Sequence, residues 1–191
     1  MIYEALLCIT EEVNEYFRGK LKINEDKVML SGIVNQDGTV AAQGENKILL
    51  TLLNVEKETI GKSNGVREAA KTMPNTSPAM NINLYVLFSA YFGGANYGES
   101  LRFLSFIIGY LQNKSVFTRA NTPKMDKDIG KLIFEMENLT TDKLNSIWAT
   151  LGAKYMPSVM YKVRMLTFDD SVIREFRPAI SGIGSENIPA K

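Results

Sequence analysis

Residues 81–92, NINLYVLFSAYF, alternate in character with a period of two. Ile82, Leu84, Val86, Phe88, Ala90 and Phe92 fall on one side of an extended chain. Asn83, Tyr85, Leu87, Ser89 and Tyr91 fall on the other. Successive side chains of a strand point to opposite faces, so this strand has one apolar face and one mixed face. The mixed face still carries Tyr85, Leu87 and Tyr91, which calls for cover on both sides. The strand therefore reads as the centre of a sheet, with the other elements arranged around it.

Before it, Ile2, Ala5, Leu6, Ile9, Val13, Tyr16 and Phe17 recur at helical spacing, with Gly19 as the expected stop. Residues 27–34 form a short strand candidate, and Asp37-Gly38 is a hairpin turn signal. Lys47–Lys57 reads as a second strand, buried at its start and alternating toward solvent at its end. Residues 60–79, broken by Gly61, Gly65, Pro74 and Pro78, read as a loop with a turn of helix at 66–71.

After the central strand, glycines lead into a helix over 97–112. Leu101, Leu104, Phe106, Ile107, Ile108 and Leu111 make it apolar over most of its circumference, which predicts burial on more than one side. A short strand at 115–119 and a loop at 121–128 follow. Residues 129–138 read as a half-buried strand with Leu132, Phe134 and Met136 on one face. Thr140 or Thr141 caps a helix striped with Leu144, Ile147, Trp148 and Leu151, and Gly152 ends it. Pro157 opens the last strand, where its missing N–H is tolerated; Val159, Tyr161, Val163 and Met165 face inward, Lys162 and Arg164 outward. The tail 177–191 is too small and polar to build a core. The expectation is an α+β fold, a mixed or mainly antiparallel sheet flanked by helices. It occupies one domain over 1–176, with an extended or flexible tail at 177–191.

The chemistry is sparse. The 191 residues contain no histidine, which rules out a Ser-His-Asp or Cys-His site and any His-ligated metal. Lys plus Arg number 22 and Asp plus Glu 21, so the basic excess of a nucleic-acid binder is missing. One cysteine, Cys8, lies on the apolar side of the first helix and reads as a small buried hydrophobe. No basic leader precedes Glu4, and the greasy run 103–111 falls far short of the ~20 residues of a membrane span. The expectation is a soluble, cytoplasmic chain without membrane insertion, cofactor or metal.

Gly61-Lys62-Ser63 resembles the end of a phosphate loop, but Glu56 stands where the leading glycine belongs. Gly93, Gly94 and Gly98 are misspaced for a dinucleotide fingerprint and read as a tight strand-to-helix connection. Glu11-Glu12 and Asp169-Asp170 are adjacent acids whose side chains diverge, so neither pair is a dyad by itself. Two readings stand: a protein that acts through its surfaces, or a small carboxylate-based enzyme or ligand-binding domain.

Five stretches bear on that choice: MIYEALLCITEEVNEYF, LSGIVNQDGTVAAQGENKILLTLLNVEKET, NINLYVLFSAYF, NYGESLRFLSFIIGYLQ and LGAKYMPSVMYKVRMLTFD. In order and over most of the chain, they resemble the tail terminator, or cap, proteins of contractile phage-tail-like injection systems of the antifeeding-prophage and virulence-cassette type. The resemblance implies a phage tail-terminator-like fold and a structural role without catalytic residues. It implies a sixfold ring of the chain with itself on the distal end of the inner tube. That ring ends tube growth and anchors the last sheath layer, which makes the inner tube and sheath proteins its partners. For such a ring, Phe103, Ile107 and Tyr110 on the broad apolar helix are candidate contact residues. Lys162, Arg164, Arg174 and Arg177 are candidates for polar contacts toward tube or sheath, and the tail is a candidate strand for a neighbour's sheet edge.

Overall fold

The computed structural model describes residues 1–35, 37–41, 44–58, 72–74, 81–167 and 176–178. In chain order the elements are α1 (Ile2–Leu21), β1 (Val28–Leu30), β2 (Lys47–Lys57), β3 (Thr72–Pro74) and β4 (Asn81–Tyr91). Then come α2 (Tyr97–Asn113), β5 (Val116–Thr118), β6 (Ile129–Met136), α3 (Thr141–Leu151), β7 (Ser158–Thr167) and β8 (Phe176–Pro178). Six strands form one sheet in the order β1-β2-β4-β7-β6-β5, and β3 and β8 pair separately. All pairs are antiparallel except β1 with β2. The α+β expectation, a mixed sheet flanked by helices, is met.

β4 lies inside the sheet, between β2 and β7, and the two-sided cover read from its alternation is present. Its Leu84, Val86, Phe88 and Ala90 join the large core, with Ala5, Ile9, Val13 and Phe17 of α1 and Phe103, Ile107 and Leu111 of α2. Leu87 and Tyr91 point the other way, into a smaller cluster with Leu49 and with Trp148 of α3. Each large side chain fully removed from water contributes about 1.5–3 kcal/mol. Two helices on one face and one on the other therefore hold a strand that could not stay in water alone.

The ends of the helices follow their chemistry. Thr140 caps α3, its hydroxyl accepting the Lys143 N–H at 3.5 Å, and Gly152 closes it at φ 65°. α1 runs past Gly19 to Leu21 and stops at Lys22, whose φ of 55° breaks the helix while its N–H still reaches the Arg18 carbonyl at 3.1 Å. Pro157 stands just before β7, and its carbonyl accepts the Ala90 N–H at 2.9 Å.

The sheet departs from local reading in four places. The Asp37-Gly38 turn is real, with Thr39 N–H and hydroxyl on the Asp37 carboxylate, but it closes only the Val34–Val40 bridge. β1 runs parallel to β2, Val28 opposite Ile48, so the expected hairpin does not join them. In β2 the register shifts between Leu52 and Asn54. Met136, expected inside, is 52% exposed. β5 pairs only as far as Ile133, so by Met136 strand β6 is a bare border. Finally, Thr72–Pro74, within the expected loop, pairs with Phe176–Pro178. The expected turn of helix at 66–71 and the tail beyond 178 lie outside the described residues.

Candidate assembly surface

The helix α2 sorts the expected contact residues into two groups. Ile107 is 0% exposed and Phe103 is buried between Phe17 and Phe92, with ring centroids 5.2 and 5.7 Å away. Both side chains are committed to the chain's own core. Tyr110 is half-buried, stacked at 4.7 Å on Tyr16, with its hydroxyl donating to Glu12 Oε2 at 3.3 Å. Burial, then the Glu12 carboxylate, pushes its phenol above the ordinary tyrosine range.

The surface that α2 offers outward is different. Tyr97 is 57% and Leu101 42% exposed, one turn apart. Arg102 and Ser105 are exposed beside them. Residues four apart in a helix are neighbours, so Tyr97 and Leu101 form one apolar step. A position in the helix wheel was legible: Ser100, Phe103, Leu104, Ile107 and Leu111 define one buried arc, and Leu101 falls at its margin. The apolar count alone hid this arc. Tyr3 and Met1 at the start of α1 and Tyr155 after α3 are further exposed apolar groups. Tyr155 lies against Trp148, centroids 5.7 Å apart.

The cations of β7 face the side of the sheet opposite α1 and α2. Arg164 is held within the chain: Nε donates to Glu58 Oε2 at 3.0 Å and an η nitrogen to Glu135 Oε1 at 3.3 Å. Lys162, two residues on along the same face, lies between Tyr85 of β4 and Glu135 of β6 in register. It makes no ion pair among the described residues. Arg177 stands in β8 opposite Met73, and Arg174 lies outside the described residues.

Under α3 runs an open groove of about 670 Å³ whose lining includes Glu56, Tyr85, Glu137, Asp142 and Lys143. Burial and then Glu56 raise the Tyr85 phenol. A second open groove, about 810 Å³, lies between α1 and the β1–β2 border, past Tyr3, Leu7 and Thr10. General-acid chemistry needs a carboxyl held protonated, with its titration raised. Among the described residues, the shifted carboxyls Glu4, Glu15, Glu25 and Asp37 all move the other way, drawn down first by hydrogen bonds to the amino terminus, Lys124, Lys27 and Thr39. Glu12 of the acid pair binds Lys114 at 2.6 Å, and Glu11 lies 4.0 Å from Lys124. Asp169-Asp170 and Gly61-Lys62-Ser63 lie outside the described residues.

The glycine connection after β4 is a single 3-10 turn, Gly94–Asn96. Asn46, itself at φ 60°, anchors it: its Oδ1 accepts from the Gly93 N–H at 3.4 Å and from Asn96 Nδ2 at 3.1 Å. The Gly93 N–H is thus already taken within the chain. Among the described residues no group of three or more Cys, Asp or Glu side chains is placed to hold a metal ion. No helix of the described residues is long and apolar enough to cross a membrane.

Comparison with known proteins places these features in context. The family model described as the Pvc16 N-terminal domain matches residues 7–182. The fold is similar to a solved PVC sheath/tube terminator of an extracellular contractile injection system in its extended state. That match has TM-score 0.56 and 10% identity, covering 100% of this chain and 63% of that one. It is also similar to the tube-terminating cap of the anti-feeding prophage, with TM-score 0.53 and 14% identity, covering 93% and 59% respectively. The chain thus spans about six tenths of the length of these solved structures. No curated protein matches the sequence.

Proposed function

The chain belongs to the Pvc16 N-terminal domain family, and from that premise we propose that it is a structural cap of a contractile injection system. It sits on the distal end of the inner tube, ends tube growth and anchors the last layer of sheath. The observation that carries this reading is the family match over residues 7–182, nearly the whole chain. The likeness to two terminators supports the fold on which such a cap is built.

The cap acts as a closed ring of identical subunits, six in number, assembled in the cytoplasm on a tube already grown. A closed ring needs two different complementary patches on each subunit. The outward step of Tyr97 and Leu101 on α2 supplies one patch, replacing the buried Phe103 and Ile107 in that role. Lys162 and the arginines Arg174 and Arg177 supply polar contacts toward tube or sheath, with Arg164 serving mainly to fix the local charge pattern around Glu58 and Glu135.

The test is deletion of the gene followed by electron microscopy of the particles. Tubes and sheaths of irregular length are expected, and restoring the gene restores uniform length. Uniform particles in its absence overturn the reading.

A further inference from the structure

A strand at the border of a sheet presents unpaired N–H and C=O groups, and an approaching chain can pair with them. β1 and β5 are the two borders here. On β1, the Lys27 carbonyl accepts from Ile48 at 2.7 Å and the Ser31 N–H donates to Leu50 at 3.1 Å. Those residues face β2, so by alternation Val28 and Leu30 turn their backbone groups outward. Asn14, from the interior of α1, takes both groups of Val28. Its Nδ2 donates to the Val28 carbonyl at 2.8 Å, and its Oδ1 accepts the Val28 N–H at 2.9 Å and the Lys27 N–H at 3.0 Å. A side-chain amide carries the same donor and acceptor as a peptide group. It stands where the peptide of a further strand would lie.

The opposite border repeats the arrangement with unrelated residues. The Phe134 N–H donates to the Ser115 carbonyl at 2.8 Å, which turns Val116 and Thr118 outward. Asn121 Nδ2 donates to the Val116 carbonyl at 2.8 Å, and its Oδ1 accepts the Thr118 N–H at 2.8 Å. The Thr118 carbonyl is taken by the backbone N–H groups of Asn121 and Thr122, at 3.1 and 2.8 Å. An asparagine is a poor residue for a helix interior, and burying its amide is unfavourable unless every bond is met. The amide of Asn14 finds its partners on Lys27 and Val28, at the start of β1.

We propose that Asn14 and Asn121 seal the two outermost strands, β1 and β5, each occupying the place of the next strand, so that copies of the chain do not add border to border at those strands. At β1 the outward groups of Leu30 remain, and the seal does not reach the stretches of β2 after Leu50 and of β6 after Phe134 that run past their short neighbours. The same seal removes β5 as an acceptor for a neighbour's tail and leaves β1 little to offer one.

The test uses the full chain with Asn121→Ala, a change on an exposed turn, alongside Asn121→Ala combined with Val116→Lys, which adds a charge to the opened border. Hydrogen exchange at the Thr118 amide and light scattering over a concentration series are the readouts. The single variant should exchange Thr118 several-fold faster when dilute. When concentrated it should form larger species, beyond those of the unaltered chain, in which Thr118 is protected again. The charged double variant should not form them, which separates border pairing from general misfolding. Faster Thr118 exchange with unchanged association at every concentration overturns the proposal, as does association that the added lysine leaves untouched. Asn14→Ala gives the corresponding reading at the Val28 amide if it folds; the Asn121 variants decide the matter either way.

Discussion

The sorting of α2 into an inward and an outward face makes a pair of substitutions informative. Ile107 is 0% exposed, within the core shared by α1, α2 and the sheet; Leu101, on the same helix, is 42% exposed. Ile107→Ala removes about three methylene-sized groups, which at ~0.8 kcal/mol each costs roughly 2.4 kcal/mol in transfer alone. The void left in a close-packed interior adds to that, and truncations of this kind run to about 2–5 kcal/mol. Domains of this size lose about 2–4 °C in Tm per kcal/mol, so a loss near 3 kcal/mol lowers Tm by roughly 6–12 °C. Leu101→Ala, a surface change, should stay within about 0.5 kcal/mol. It should instead weaken self-association of the purified chain. Urea and thermal unfolding followed by circular dichroism measure the first quantity, and light scattering the second. Equal destabilisation by the two changes, or a larger one from Leu101→Ala, refutes the assignment of faces.

Three further outcomes follow from the structure. Burial, then Glu12 and Glu11, pushes the Cys8 thiol from 9.0 to about 11, so the folded chain keeps this proton longer than the unfolded one. Its contribution to stability is complete below about pH 9 and is lost as pH rises through about 11; Cys8→Ala should flatten the fall in urea midpoint over that window. Lys114→Met takes from Glu12, 12% exposed, its 2.6 Å partner and leaves it the Tyr110 hydroxyl, costing about 1–3 kcal/mol in chemical unfolding; an unchanged midpoint contradicts the pair's importance. Trp148→Ala uncovers Leu49 and Leu87 on the second face of the sheet and should cost about 3–5 kcal/mol, whereas a loss under 1 kcal/mol would mean that α3 is dispensable there.

What could be read from the chain itself was whatever depends on neighbours in sequence. The alternation of 81–92 identified the strand at the heart of the sheet, and Thr140 and Gly152 marked both ends of α3. Pairing was less legible. Asp37-Gly38 carries a hairpin signal, and it does turn the chain, but Asn14 holds β1 from the side and the strand enters parallel to β2. Thr72–Pro74 and Phe176–Pro178 are remote in sequence, so nothing local announces that they pair. The apolar composition of 97–112 suggested a two-sided helix, because composition counts residues and not directions. Only its arc, with the small polar Ser100 inside and Leu101 outside, shows which side is free. Arg164 pointed outward as expected, yet two carboxylates of the same chain, one from β6 and one just past β2, hold it in place.

The most direct test of the proposed cap is to see where the protein sits on contractile injection particles. A small epitope fused to this chain, labelled with gold and viewed by electron microscopy, should mark a single end of each extended particle, the end opposite the baseplate, and no other place. Label scattered along the sheath, at the baseplate, or absent from intact particles would contradict a cap.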